Sequence, residues 1–90
     1  MTETRWKRNS RFIDRNIDGE AIILDLKTGV YYSLNEVGTA VWEKLKDCAT
    51  TSELEADITA GYDIPVETAQ SDIEELLNDL AAEGLISKED

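Results

Sequence analysis

Apolar and polar residues alternate along residues 20–34, the pattern expected of two β-strands that each bury one face. A three-residue loop at 27–29 would align apolar residues in three pairs: Leu26 with Val30, Leu24 with Tyr32, and Ile22 with Leu34. A two-residue loop at 28–29 would instead mix apolar and polar side chains on the same face. Because a slip of one residue turns a whole strand over, burial favours the three-residue loop, in which Gly29 can adopt positive φ. In this register Tyr31 and Ser33 fall on the opposite, more accessible face.

A third strand completes the predicted sheet. Residues 12–17 form a short first strand, and Asp18-Gly19, a favoured hairpin dipeptide, turns the chain into the second strand at 20–26. The third predicted strand covers residues 30–34. In such an antiparallel meander the second strand is central, so the first and third strands are both edges.

Three helices are predicted after the strands, at about residues 36–47, 51–60 and 65–83. Asn35 is placed to cap the first helix, and Thr50 with Glu53 fits a capping box at the second. Gly84 follows the third helix at the position where a left-handed residue commonly ends one. The apolar positions of the third helix have helical spacing: Val66, Ala69, Ile73, Leu76, Leu77 and Leu80.

This order of elements predicts the α+β class, with a three-stranded antiparallel sheet followed by three helices in a winged helix-turn-helix-like arrangement. Trp42 is interpreted as an anchor of the core. Residues 1–11 are polar and basic without any period, and they are predicted to form a flexible basic arm. Residues 12–90 are predicted to form one domain.

The residue types present exclude several kinds of chemistry. The chain has no histidine and one cysteine, Cys48, so zinc-finger, Cys–His and Ser–His–Asp arrangements cannot form within it. No glycine-rich phosphate loop or calcium-loop pattern occurs, and no metal, cofactor or catalytic residue is predicted. Cys48 is interpreted as a packing residue. Because these arrangements are absent, the protein is not expected to be an enzyme. Because no internal disulfide is possible and no apolar signal or membrane segment occurs, the sequence predicts a cytoplasmic protein.

The net charge of −11 is unevenly distributed along the chain. Residues 1–46 carry eight basic and seven acidic side chains, whereas residues 47–90 carry one basic and thirteen acidic side chains. The third predicted helix carries no Lys or Arg, and its acidic residues are Glu67, Asp72, Glu74, Glu75, Asp79 and Glu83. A helix with this charge would be repelled by phosphates, so the winged-helix pattern does not imply nucleic-acid binding.

The third predicted strand has an unprotected edge. Residues 30–34 contain neither proline nor lysine, which commonly prevent unwanted pairing at an edge strand. Such an edge can accept an extended peptide as an additional strand. The alternative is that a helix covers this edge or that the edge is simply tolerated.

The sequence resembles the PqqD-like family from about residue 12 to residue 86. The segment with the highest specificity is YYSLNEVG at residues 31–38, with Trp42 four residues further on. The resemblance implies a recognition domain that binds the leader region of a ribosomally made precursor peptide as a strand in a groove closed by the third helix. The positions to which it assigns peptide binding are Val30, Tyr31, Tyr32, Ser33, Leu34, Ala69, Asp72, Ile73 and Leu76, and charge adds Glu75.

The chain departs from the family members of quinone-cofactor synthesis. Those members are expected to have a proline in the second strand and a cysteine-aspartate-glycine sequence after the first helix, where this chain has Lys46-Asp47-Cys48. We therefore favour a stand-alone recognition protein of a lasso-peptide or related pathway. Its expected partners are a precursor leader peptide and a separate leader protease or other modifying enzyme, with no nucleic acid or membrane. The alternatives are a chaperone of quinone-cofactor (PQQ) synthesis and a winged-helix transcription regulator.

Overall fold

The computed structural model describes residues 4–89, which form six strands and three helices. The strands are β1 (Arg5–Arg8), β2 (Phe12–Ile17), β3 (Glu20–Asp25), β4 (Tyr31–Ser33), β5 (Ala49–Thr50) and β6 (Ile86–Glu89). The helices are α1 (Glu36–Lys44), α2 (Thr51–Gly61) and α3 (Val66–Ala82), and a 3₁₀ turn (Leu45–Asp47) extends α1.

The strands form two antiparallel sheets of three strands each within the described residues. One is the predicted meander, β2-β3-β4, and the other has the order β5-β1-β6. The α+β class is confirmed, and the likeness to a winged helix is a loose analogy. The first predicted strand is β2, whose bounds agree with the prediction.

The register between β3 and β4 differs from the predicted one. The observed pairs are Ile22 with Ser33, Ile23 with Tyr32, and Leu24 with Tyr31. The prediction is therefore wrong by one residue, and the face of β3 that it buried points outward. Ala21, Ile23 and Asp25 face the core instead. Of the residues predicted on the inner face of the third strand, Leu34 is buried and Tyr32 packs against the core, but Val30 is exposed.

The turn after β3 explains this register. The buried Asp25 carboxylate accepts the backbone N–H of Lys27 at 2.8 Å and that of Thr28 at 3.4 Å. Gly29 has the predicted positive φ, 76°, and donates its N–H to the Asp25 carbonyl at 2.8 Å. Burial by itself would raise the pKa of Asp25, but the hydrogen bonds from Lys27 and Thr28 and the Arg11 charge bring it below the ordinary value. The buried Asp25 carboxylate has its hydrogen bonds within this turn, and this arrangement sets the register in place of the apolar cross-strand pairs that the prediction used.

The N-terminal segment is ordered. Arg5–Arg8 pair with β6 on one side and with β5 on the other, so the prediction of a flexible arm is wrong for this segment. Trp6 is 8% exposed and belongs to the core. Arg8 lies 4.0 Å from the Trp42 ring centroid and donates two hydrogen bonds to the Trp42 carbonyl, at 3.0 and 2.6 Å. Trp6 is one apolar residue among basic residues, so the alternation of apolar and polar positions that predicts a strand is not recognisable in this segment. Residues 1–3, also assigned to the arm, lie outside the described residues.

The helix termini confirm the predicted caps. Asn35 Oδ1 accepts the Gly38 N–H at 2.8 Å at the start of α1. At α2 the Thr50 hydroxyl accepts the Glu53 N–H at 3.1 Å, and the Glu53 carboxylate accepts the Thr50 N–H at 2.9 Å. Gly84 follows α3 with φ of 76°. These local hydrogen bonds satisfy backbone groups that helix ends would otherwise leave without partners.

The core lies between the inner face of the β2-β3-β4 sheet, the helices and β1. Trp42 is fully buried, as predicted for a core anchor. The residues of α3 that face the core are Ala69, Ile73, Leu77 and Leu80. Val66 is exposed and Leu76 is only partly buried, so the buried stripe of α3 is narrower than the predicted one. The phase of α3 that follows from this stripe decides which of its residues face β4.

Candidate functional site

The outer edge of β4 is open. β4 pairs with β3 on one side, and no other described strand pairs with it. Toward β3, the Val30 carbonyl accepts the Asp25 N–H at 3.0 Å, and the Leu34 N–H donates to the Ala21 carbonyl at 2.9 Å. Inward and outward bonding alternate along an antiparallel strand, so Tyr31 and Ser33 direct their N–H and C=O groups to the open edge. These residues offer the backbone groups that an added strand needs.

A groove of about 460 Å³ lies between this edge and α3. The residues that line it are Ser33, Leu34, Asn35, Val37, Gly38, Asp72, Glu75, Leu76 and Asp79. The first five come from the end of β4 and the beginning of α1, and the last four come from α3. The groove is therefore a cleft along a strand edge, with a helix as its opposite wall.

The α3 wall combines an apolar side chain with three carboxylates. Asp72, Glu75 and Asp79 are spaced three and four residues apart, and Leu76 follows Asp72 by four, which places all of them on one helix face. None of these three carboxylates forms an ion pair with any described residue, and no Lys or Arg lines the groove. This wall therefore carries an uncompensated negative charge beside a strand edge.

The opposite wall is built by a close contact between β4 and α1. The Thr39 hydroxyl accepts the Ala21 N–H at 2.8 Å and donates to the Leu34 carbonyl at 3.3 Å, so it links the end of β4 to β3. A side chain at Gly38 would place its Cβ 3.3 Å from the Leu34 Cβ and 3.2 Å from Asn35 Oδ1. Glycine at this position allows α1 to start directly against the edge strand.

One hydrogen bond joins β4 to the residue after α3. The Tyr32 hydroxyl donates to Glu83 Oε2 at 3.0 Å. This hydrogen bond, followed by burial and the Glu83 charge, raises the pKa of Tyr32. Tyr32 therefore points toward the helix side of the sheet and remains protonated at neutral pH.

The structure brings together half of the predicted peptide-binding residues at the groove: Ser33, Leu34, Asp72, Glu75 and Leu76. Tyr31 lies on the outer face of β4, and Val30 lies just before the strand. Ala69 and Ile73 are each 1% exposed and belong to the core, so neither side chain faces the groove. The prediction placed them there because the apolar stripe by itself does not distinguish the core side of a helix from its groove side.

Four lining residues were not predicted: Asn35, Val37, Gly38 and Asp79. Asp79 has a signal in the sequence, because it follows Glu75 by four residues and Asp72 by seven, and so shares their helix face. Asn35 was interpreted only as a helix cap. The beginning of α1 and the face of α3 line the same groove because of tertiary packing, and no local sequence pattern predicts this.

Residues 4–89 contain no group of three or more His, Cys, Asp or Glu side chains placed to hold a metal ion. No helix in the same range is both long and apolar enough to span a membrane. The Cys48 thiol donates to Glu89 Oε2 at 3.0 Å, and this hydrogen bond, with burial and the Glu89 charge, raises its pKa. The thiol is therefore held in its protonated, less nucleophilic form.

Two solved structures have the same fold over nearly their whole length. TbiB1 in complex with the TbiA(beta) leader peptide has a TM-score of 0.83 and 30% sequence identity, and the match covers 90% of this chain and 94% of that one. A lasso peptide synthetase B1 complexed with its leader peptide has a TM-score of 0.81, with 91% and 96% of the chains covered. Its 21% identity shows a shared fold alone.

The family comparison covers two strands of the β2-β3-β4 sheet, the helices and the groove. The family model described as coenzyme PQQ synthesis protein D (PqqD) matches residues 20–86, and a comparison with curated proteins gives no match. The matched range contains β3, β4 and all three helices. It includes every residue that lines the groove. The chain therefore belongs to the PqqD family, as the resemblance in its sequence predicted.

Proposed function

We propose that this protein binds the leader region of a ribosomally made precursor peptide as an added strand on β4. The observation that carries the proposal is the open edge of β4 beside the groove that α3 closes. The similar structure of TbiB1, which is 30% identical, is a complex with a leader peptide and supports this assignment. An unstructured leader would gain an ordered partner for its backbone groups at Tyr31 and Ser33.

Backbone pairing needs additional side-chain contacts. Each hydrogen bond to the edge replaces one to water and contributes about 1 kcal/mol net, while the peptide loses conformational freedom. Leu34, Val37 and Leu76 supply apolar surface along the groove. We expect a leader side chain to insert there. An affinity in the micromolar range, about −8 kcal/mol, is consistent with one or two such anchors.

The acidic wall favours leaders with basic side chains on the groove side. Asp72, Glu75 and Asp79 have no cationic partner among the described residues, so a Lys or Arg of the leader would supply the missing charge. Such a contact at the rim of a groove acts mainly on the association rate and on its salt dependence.

We also infer that the protein delivers the bound leader to a separate leader protease or other modifying enzyme in the cytoplasm and does not itself catalyse a reaction. A binding role fits a groove formed by backbone, apolar and carboxylate groups. We assign the pathway to the lasso-peptide or a related type because Lys46-Asp47-Cys48 replaces the sequence expected in quinone-cofactor synthesis.

The proposal is tested by blocking the edge of β4 with proline. Ser33→Pro removes an outward N–H and introduces a ring at the edge, and proline is tolerated at this side of an edge strand. With the TbiA(beta) leader peptide as the probe, we expect Ser33→Pro to lose at least tenfold in affinity. Ser33→Ala, which keeps the N–H, should bind like the wild type. Circular dichroism checks that both variants fold.

Amide exchange of the wild type with the same peptide gives an internal control. Protection should rise at Tyr31 and Ser33, whereas β2, the other open edge of this sheet, should not change. Protection along Phe12–Ile17 with β4 unaffected would overturn the proposal. Equal binding by the proline and alanine variants would also contradict it.

A further inference from the structure

The outer face of the β2-β3-β4 sheet carries an apolar row that ends at the open edge. The register places Ile13 beside Leu24 and Leu24 beside Tyr31. Tyr31 is 67% exposed, Ile13 is also exposed, and the helices pack on the opposite face of the sheet. The last large apolar side chain of this row therefore lies where an added strand would pair.

This face is chemically different from the groove. It holds a shallow depression of about 580 Å³ that is lined by Ile13, Asp14, Arg15, Ile17, Ile22, Leu24 and Tyr31. None of these residues lines the groove, whose α3 wall is acidic. The outer face beside Tyr31 is thus mainly apolar, whereas the groove combines apolar side chains with three carboxylates.

An added strand would contact both surfaces with alternate residues. Successive side chains of a strand point to opposite faces, so every second residue of the peptide faces the groove and the others face outward. Tyr31 directs its N–H and C=O to the open edge, so it forms a directly opposed pair with one peptide residue. In such a pair the Cβ atoms lie about 5 Å apart, close enough for an aromatic ring to cover its partner. Ser33, the other outward-bonding residue of β4, is too small to provide this cover.

We propose that Tyr31 is a specificity-determining residue that selects leaders with a large apolar side chain at the position opposite it. This proposal rests on the proposed function, since it assigns the outer face of the same added strand. The occupant is one side chain of the leader, because the apolar row continues without interruption to the edge where the leader pairs. In the preferred leader an apolar residue lies opposite Tyr31. The residues directly before and after it in the leader face the groove and are suited to its acidic wall.

The test uses a displayed library of random dodecapeptides, selected on the full chain. We expect the recovered peptides to share one position that is restricted to large apolar residues. One recovered peptide is then compared with its alanine variant at this position, on the wild type and on Tyr31→Thr, which keeps a residue suited to strands. Tyr31→Thr should weaken the parent peptide about fivefold and leave the alanine variant nearly unchanged, which isolates the pairwise contact.

Two control variants make the result specific. Tyr31→Phe keeps the ring and should bind like the wild type. Ile17→Thr removes an apolar side chain that is 57% exposed on the same outer face, but on β2, and should also bind like the wild type. Equal losses for both peptides on Tyr31→Thr, or the same loss in Ile17→Thr, would overturn the proposal.

Two further outcomes separate the proposal from the function on which it rests. If the recovered peptides protect the Tyr31 and Ser33 amides from exchange but share no position restricted to large apolar residues, the role of Tyr31 is overturned and strand addition stays supported. A library that gives no binder at β4 would overturn both. If sedimentation shows a dimer that Tyr31→Thr dissociates, a second copy of the chain occupies this face and the proposal is wrong.

Discussion

Leu76 and Leu77 are adjacent in α3, but their side chains face different parts of the molecule. Leu76 is partly buried and lines the groove, whereas Leu77 is 2% exposed and faces the core. Truncation of each to alanine removes the same atoms, and alanine is at least as good a helix former as leucine. We predict that Leu77→Ala lowers stability without changing leader affinity and that Leu76→Ala lowers affinity with a smaller effect on stability.

The magnitudes follow from burial. A fully buried leucine truncated to alanine costs 2–5 kcal/mol, and we expect about 3 kcal/mol for Leu77. A domain of this size has a stability of roughly 5–13 kcal/mol, so the Leu77 variant remains mostly folded. Full burial of a leucine contributes about 1.5–3 kcal/mol, and a bound leader can cover only the part of Leu76 that is still exposed. We therefore expect a loss of about 1 kcal/mol of binding free energy, which is about fivefold in Kd.

Urea denaturation followed by tryptophan fluorescence measures the stability of each variant, and calorimetric titration with the leader peptide measures its affinity. The folded fraction from the first experiment corrects the active concentration in the second. The assignment of the α3 faces is refuted if folded Leu77→Ala loses as much affinity as Leu76→Ala. Unchanged affinity in Leu76→Ala would remove this residue from the groove contact.

Two further predictions concern charge. In a stopped-flow measurement, Asp72→Lys should slow the association of a basic leader and weaken the salt dependence of the association rate. The control Glu67→Lys, on the same helix but away from the groove, should have little effect on either quantity. Equal slowing by both variants would indicate long-range charge and not a groove contact. The pKa of Asp25 is lowered in the folded protein, so its contribution to stability is present above its ordinary pKa near 3.8 and is lost as the pH falls through the folded value. Asp25→Asn should therefore show a flatter dependence of stability on pH below about 4 in urea titrations, and an unchanged slope would contradict this.

Local features of the sequence were sufficient for much of the fold. The caps at Asn35 and Thr50, the left-handed Gly84 and the strand at Phe12–Ile17 all agree with the structure. Each depends on hydrogen bonds or dihedral preferences within a few residues, which act wherever the chain lies. The open edge of the third predicted strand also followed from the order of strands along the chain.

The sheet register needed tertiary information. Apolar pairing favoured one face of β3, but the buried Asp25 and its turn place the opposite face inward. The sequence contained an aspartate before a turn, and nothing nearby indicated that its carboxylate would be buried and satisfied. As a consequence, Ile22 and Leu24 lie on the outer face, where Leu24 continues the apolar row from Ile13 to Tyr31.

The sequence by itself determined the α+β class, the helices and the strand edge that is available for pairing. Only the tertiary structure decided that Arg5–Arg8 form a strand, that Ala69 and Ile73 face the core, and that the beginning of α1 completes the groove. The physical reason is one of range. Capping and periodicity are set by neighbours along the chain, whereas the phase of a helix and the face of a strand are set by the surfaces that pack against them.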